Sequence, residues 1–218
     1  MSRLAPALLL VVLVSGCFET SPVAVVPSEV LTQGWSEKER DSGSKWYGLA
    51  ASWTVIEYRV TPERKTIDSG PYPASFTLMT IDTTSRLEPS EVRDKLERQI
   101  RDNAASQDLA LKAGSRAEGP RTLESGVKTT WFRYDAVIGE DSRLFSPGHE
   151  ARVIGEVGFD ERSKITFVAV GLAQVQGSGP TGQYFRDTTH WEKIVEDPDG
   201  TIDGHTGNDG LVWNIRSH

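Results

Sequence analysis

Cysteine is almost missing from this 218-residue chain, where Cys17 stands alone. An intrachain disulfide is therefore excluded, and so is a zinc site built on paired thiolates. Stability has to come from a hydrophobic core. Long apolar runs are lacking too. Residues 4–14 carry no charge, but a spanning helix needs about 20 apolar residues. Basic excess is absent: 24 Lys and Arg face 31 Asp and Glu, for a net charge of −7. This balance argues against nucleic acid as a partner, because phosphate contacts require clustered Lys and Arg. It argues equally against electrostatic adhesion to anionic lipid. Histidine is scarce. His149, His190, His205 and His218 never fall four residues apart, so a zinc site would have to be assembled from distant loops.

What is present begins at the N-terminus. Arg3 gives a short positive segment, and the apolar residues 4–14 fit the hydrophobic part of an export signal, normally 7 to 15 residues. Val14-Ser15-Gly16-Cys17 follows directly. Small residues before the cut suit a signal peptidase, and the cysteine after it supplies a thiolate nucleophile for acylation. The stretch resembles the lipobox of bacterial lipoproteins, position by position. It implies a signal peptide over 1–16 and a lipid on Cys17. An ordinary secretory signal with a chance cysteine is the competing reading. Loss of Arg3 with the leader leaves 23 basic against 31 acidic groups, a net charge of −8. Attachment then depends on acyl chains, and stable anchoring takes more than one. The expected location is the cell membrane or outer membrane, on the extracytoplasmic side.

Residues 17–44 read as a lipid anchor and flexible spacer, punctuated by Ser21, Pro22, Pro27 and Ser28. Such a tether would hold a folded domain away from the membrane. Residues 45–196 read as one domain, of ordinary size. Within it, residues 53–60 alternate as a strand, with Thr54, Ile56, Tyr58 and Val60 on one face. Residues 75–81 form another short strand. Over 89–105 the period changes: Val92, Leu96, Ile100 and Ala104 recur every four residues, and Pro89 suits a first helical turn. Residues 128–138 return to period two. Residues 151–159 and 165–173 predict a hairpin, and the second strand, apolar on both faces, belongs in the middle of the sheet. Thr189 and Glu192 make a capping-box pattern before a short helix. Residues 197–218, rich in Gly and Asp, read as a loose tail with an apolar patch at Leu211-Val212-Trp213. The predicted class is α+β, an antiparallel β-sheet flanked by helices.

This order resembles the Mog1/PsbP-like fold, an α/β/α sandwich, over roughly residues 47–196. The marks are Gly48-Leu49 leading to Trp53, the helix after Glu88-Pro89-Ser90, and the late hairpin followed by a helix carrying Trp191. The Pro-x-x-Trp common in that group is incomplete here, with a shorter gap and no proline. The group has no catalytic signature, so the resemblance implies a binding or assembly role.

Several motifs bear on chemistry. Asp197, Asp199 and Asp203 in a Gly-rich stretch are candidate calcium ligands. Against them, the fifth and twelfth positions of the loop hold Thr201 and Asn208 where carboxylates are wanted, and a solvated turn-rich tail explains the same composition. Ser42-Gly43-Ser44-Lys45 contains Ser-x-x-Lys, yet acyl chemistry needs that serine at a helix start beside an oxyanion hole. Residues 177–182 hold three glycines without the Gly-Lys-Ser/Thr ending of a phosphate loop. Among six tryptophans, Trp131 and Trp191 are expected in the core. Trp35, Trp46 and Trp213, near the ends of the fold, are candidates for a partner-binding patch. They compete with simple docking of the termini onto the domain. The loop 139–150 is a second candidate surface. No catalytic set and no cofactor motif emerges. The leading expectation is a lipid-anchored, non-enzymatic factor that binds another envelope protein. A small-ligand or lipid carrier is the alternative, and a hydrolase with a concealed site stands third.

Overall fold

The period-two segments of the chain become strands of one sheet. A computed structural model describes residues 22–46, 49–60, 74–83, 87–142, 147–178 and 184–218. Strand β1 (Ala24–Val25) precedes the long hairpin β2 (Trp35–Trp46) and β3 (Leu49–Val60), and β4 (Ala74–Thr83) follows. Helix α1 (Pro89–Ser106) leads into β5 (Leu109–Leu111) and β6 (Ala117–Thr122). Then come β7 (Lys128–Ile138), β8 (Glu150–Asp160) and β9 (Ile165–Gln174). Short strands β10 (Gln176–Ser178) and β11 (Tyr184–Arg186), helix α2 (Thr189–Val195) and β12 (Arg216–Ser217) complete the described order.

The main sheet runs β2-β3-β4-β9-β8-β7-β5, with β6 pairing beside β5 on β7. All of its ladders are antiparallel. Strand β9 lies between β4 and β8, as its two-faced apolarity predicted. The class is α+β.

Alternation along the strands divides the core in two. Val92, Leu96, Ile100 and Ala104 of α1 bury against Trp53, Ile81, Phe132, Tyr134, Val153 and Val168 on one face. Trp191, Ile194 and Val195 of α2 bury against Tyr58, Phe76, Trp131, Ile154 and Phe167 on the other. Successive side chains of a strand point to opposite faces, so Trp131 and Phe132 serve different cores. Pro89 occupies the first turn of α1, where its missing N–H costs nothing. The capping box expected from Thr189 and Glu192 does not form, since the helix starts one residue earlier and the N-cap side chain bonds no backbone N–H. Thr188 is the N-cap, its Oγ1 donates to Glu192 Oε1, and Asp187 Oδ1 accepts the Thr189 N–H at 3.2 Å. At Gly171 of β9, a Cβ would stand 2.7 Å from Ile194 Cγ2. Only a residue without a side chain lets α2 lie this close to the sheet.

Two expectations about the chain ends are corrected. Residues 22–44 are not a spacer. Val26 and Val30 are buried, β1 pairs with β12, and β2 is the edge strand of the main sheet. Its exposed Glu37, Lys38, Glu39 and Arg40, with irregular register at Glu37/Glu39 and Gly43/Lys45, are what protects a long edge from pairing with another chain. Ser42 and Lys45 lie in this strand rather than at a helix start. Residues 197–218 are not a loose tail either. Ile202, Leu211, Val212 and Ile215 are buried in the same core as α2. At Gly210, a Cβ would collide with the Glu196 carbonyl oxygen.

The two ends of the described chain meet. Val23 and His218 exchange backbone hydrogen bonds at 3.2 and 2.8 Å. Ser217 Oγ bonds both Asp160 and Ser163 in the β8–β9 turn. Both ends therefore leave the fold beside that turn.

Candidate functional site

A buried ion cluster ties the C-terminal segment to the sheet. Arg121 of β6 meets Glu156 of β8 through two hydrogen bonds, Nε to Oε1 at 3.0 Å and Nη2 to Oε2 at 2.7 Å. Its Nη1 reaches Asp197 Oδ2 and the Val195 carbonyl, both at 3.1 Å. The Thr129 hydroxyl donates to Glu156. None of the three charged side chains exceeds 1% exposure. Burial alone would drive a proton from Arg121. The fields of Glu156 and Asp197 outweigh it and leave its pKa raised. With its lone pairs and protons satisfied, the cluster is a closed structural unit.

Asp197 is therefore unavailable to calcium. One oxygen pairs with Arg121, and the other accepts the N–H groups of Asp199 and Thr201, each at 3.0 Å. Asp203 is likewise claimed: Arg133 Nε lies 2.8 Å from Oδ1, while Arg152 Nη1 and Trp191 Nε1 donate to Oδ2 at 2.9 and 3.2 Å. Asp199, whose N–H bonds Asp197, is exposed. The calcium reading is corrected on these grounds, because ligand carboxylates must face a cation rather than guanidinium groups. Among the described residues no cluster of three potential metal ligands exists. Of the histidines, His149 is buried against Gln174, and His190 is half-buried, edge-on to Trp35. His205 approaches Glu192 at 3.6 Å.

The candidate tryptophan patch loses one of its members. Trp35 is buried at 3% exposure and is core, not surface. Trp213 is half-buried beneath the C-terminal turn, its carbonyl accepting the Glu124 N–H. The Trp46 side chain and Cys17 lie outside the described residues, as do residues 179–183 of the glycine-rich stretch.

Arg152 leads from Asp203 to an open cavity of about 200 Å³, lined by Asp135, Glu150, Ala151, Arg152, Val175, Gln176 and Arg186. Arg152 is held in place by Asp135 at 3.2 Å and by the Trp191 ring, 5.6 Å from its guanidinium carbon. Glu150 pairs with Lys112 at 2.8 Å, an interaction that lowers its pKa. Arg186 is exposed at the rim. The cavity thus has two guanidinium and two carboxylate groups on its wall, suited to a polar group of a partner or small ligand rather than to an acyl chain. The ends of the 139–150 loop are fixed nearby, where Gly148 donates to the Ile138 carbonyl at 2.7 Å and Gly139 to that of Asp108 at 2.7 Å.

A third cluster joins α1 to β7. Glu97 accepts from Arg101 at 2.6 Å, from Arg116 at 2.9 and 3.1 Å, and from the Tyr134 hydroxyl. The bonds from Arg116, reinforced by Tyr134 against some burial, lower its pKa to about 2. Lys193 contrasts with these paired groups. Its side chain is 2% exposed, Nζ makes no hydrogen bond, and Asp209 lies 3.9 Å away. Burial, opposed by Asp209 and Glu196, depresses its pKa.

The buried cluster was not anticipated from sequence. Its signal was Glu156, a lone charge in the apolar run of β8, since unpaired buried carboxylates are rarely tolerated. No protein-family model, curated protein or solved structure matches this chain.

Proposed function

We propose that the chain is an extracytoplasmic lipoprotein, anchored through Cys17, that binds another envelope protein without catalysing a reaction. The observation that carries this reading is the polarity of the fold. Both described chain ends emerge beside the β8–β9 turn, whereas the charged cavity and the ends of the 139–150 loop lie at the opposite end of those strands. A tether at one end leaves the other free for a partner. The pairing within the ion cluster supports a role without catalysis. Arg121, Glu156 and Asp197 are buried and paired with one another, and the more exposed Asp203 is held by Arg133 and Arg152. A helix on each face of the antiparallel sheet fits the Mog1/PsbP-like arrangement, and with it a binding or assembly role.

A second reading, a carrier of a small polar ligand, is favoured by the cavity itself. Its charged wall and a volume of about 200 Å³ do not suit a lipid, since ligand pockets are ordinarily larger and mostly apolar.

Photo-crosslinking in the native envelope tests the proposal. A photoreactive residue at Glu140 or Arg186 is expected to trap one protein in near-stoichiometric yield, and one at Asp94 on the outer side of α1 is not. Crosslinks that are absent at all three positions, together with a small molecule copurifying with the protein, would transfer the case to the carrier.

A further inference from the structure

We infer that the domain is held directly against the lipid headgroups, with the β8–β9 turn and the joined chain ends facing the membrane. This inference rests on the lipid-anchored reading of Cys17. The tether is short because the fold begins early. Val23 is already bonded to His218, and Ala24 donates to Thr80 Oγ1 at 2.9 Å within the core. Six residue steps separate Cys17 from Val23. Even fully extended they span only about 20 Å, and crossing the headgroup layer of one leaflet uses about 5–8 Å of that, so the fold stays within about 15 Å of the headgroups.

The face so presented is defined. Val23, Ser217 and His218 lie beside residues 160–164, and Lys128 begins β7 at the same end of the sheet, one step from the Thr129–Gly158 pair. Its exposed charges are mixed. Arg162, Lys164 and Lys128 stand with Glu161, Lys164 pairs with Glu161 at 3.3 Å, and Asp160 lies in the same turn. Such a face neither repels a bilayer nor adheres to one by charge. Its position is therefore set by the tether alone. Strand β8 has 11 residues, so the cavity at its start stands about 35 Å farther out. The short tether and the distal cavity together aim the binding end into the envelope space.

The test uses the full-length acylated protein in vesicles of phosphatidylethanolamine and phosphatidylglycerol. Single variants Arg162→Cys and Glu140→Cys carry a fluorescent donor, and the lipid headgroups carry an acceptor. Energy transfer from position 162 is expected to be several-fold greater than from position 140. A flexible Gly/Ser insert of about 20 residues after Thr20 adds a mean reach of about 25 Å and should abolish the difference. Equal transfer from both positions in protein whose mass shows acylation overturns the inference and leaves the anchor intact. A mass without acyl groups overturns both. Strong transfer that survives the insert also overturns it, since the face would then hold lipid by itself.

Discussion

Removing Arg121 should be the most damaging single change to a charged residue of the described fold. In Arg121→Met the new side chain fills much of the same volume, but Glu156 and Asp197 stay buried without their cation. Breaking a buried pair from one side costs about 3–5 kcal/mol, because an uncompensated charge remains. That is a large part of the 5–15 kcal/mol that holds a typical domain together. At about 2–4 °C per kcal/mol for a chain of this size, melting should fall by about 6–20 °C. Restoring neutrality with Arg121→Met, Glu156→Met and Asp197→Asn together should recover most of the loss, since Asn retains an acceptor for the Asp199 and Thr201 N–H groups. Urea titration followed by circular dichroism at pH 7 measures both the loss and the recovery. A loss below about 1 kcal/mol in the single variant, or no recovery in the triple, would refute the account of the cluster as a closed unit.

Further outcomes follow from individual contacts. Glu97, with a folded pKa of about 2 against 4.5, contributes stability that is full above the unfolded value and is lost as pH falls toward 2. Urea midpoints between pH 6 and 3 should drop more in the parent than in Glu97→Gln, by about 1–3 kcal/mol. Lys193→Met should stabilise the fold by about 1 kcal/mol at pH 7, because an ammonium without a hydrogen bond leaves the interior. The depressed pKa makes that gain shrink as pH rises toward the ordinary lysine value, and a variant less stable than its parent at pH 7 would contradict the burial argument. Gly171→Ala should cost about 1–3 kcal/mol by forcing α2 off the sheet, read as a lower urea midpoint with an unchanged slope. Melting temperature should be the same in calcium and in chelator, as Asp197 and Asp203 already face arginines; a rise with calcium would reinstate the metal site.

The parts of this protein that the sequence determined by itself are those written in local period. Val92, Leu96, Ile100 and Ala104 recur at the spacing of one helical face, and α1 buries those four residues. Alternation in residues 128–138 became β7, and apolarity on both faces of residues 165–173 put β9 between β4 and β8. Such patterns survive because each side chain records whether its own face is buried. They do not record which distant segment does the burying. That was left to the tertiary structure, and it decided the fate of both ends. Residues 22–44 and 197–218 looked soluble and irregular, rich in Pro, Ser, Gly and Asp, yet Val23 finds His218 and Glu29 finds Arg216 across nearly the whole chain. The Asp-rich turns read as calcium ligands because only their own neighbours were visible. Arg121, Arg133 and Arg152, the cations that claim them, come from strands 51 to 76 residues earlier in the cases of Arg152 and Arg121. Pairings over such separations are set by packing of the whole sheet, and no local window contains them.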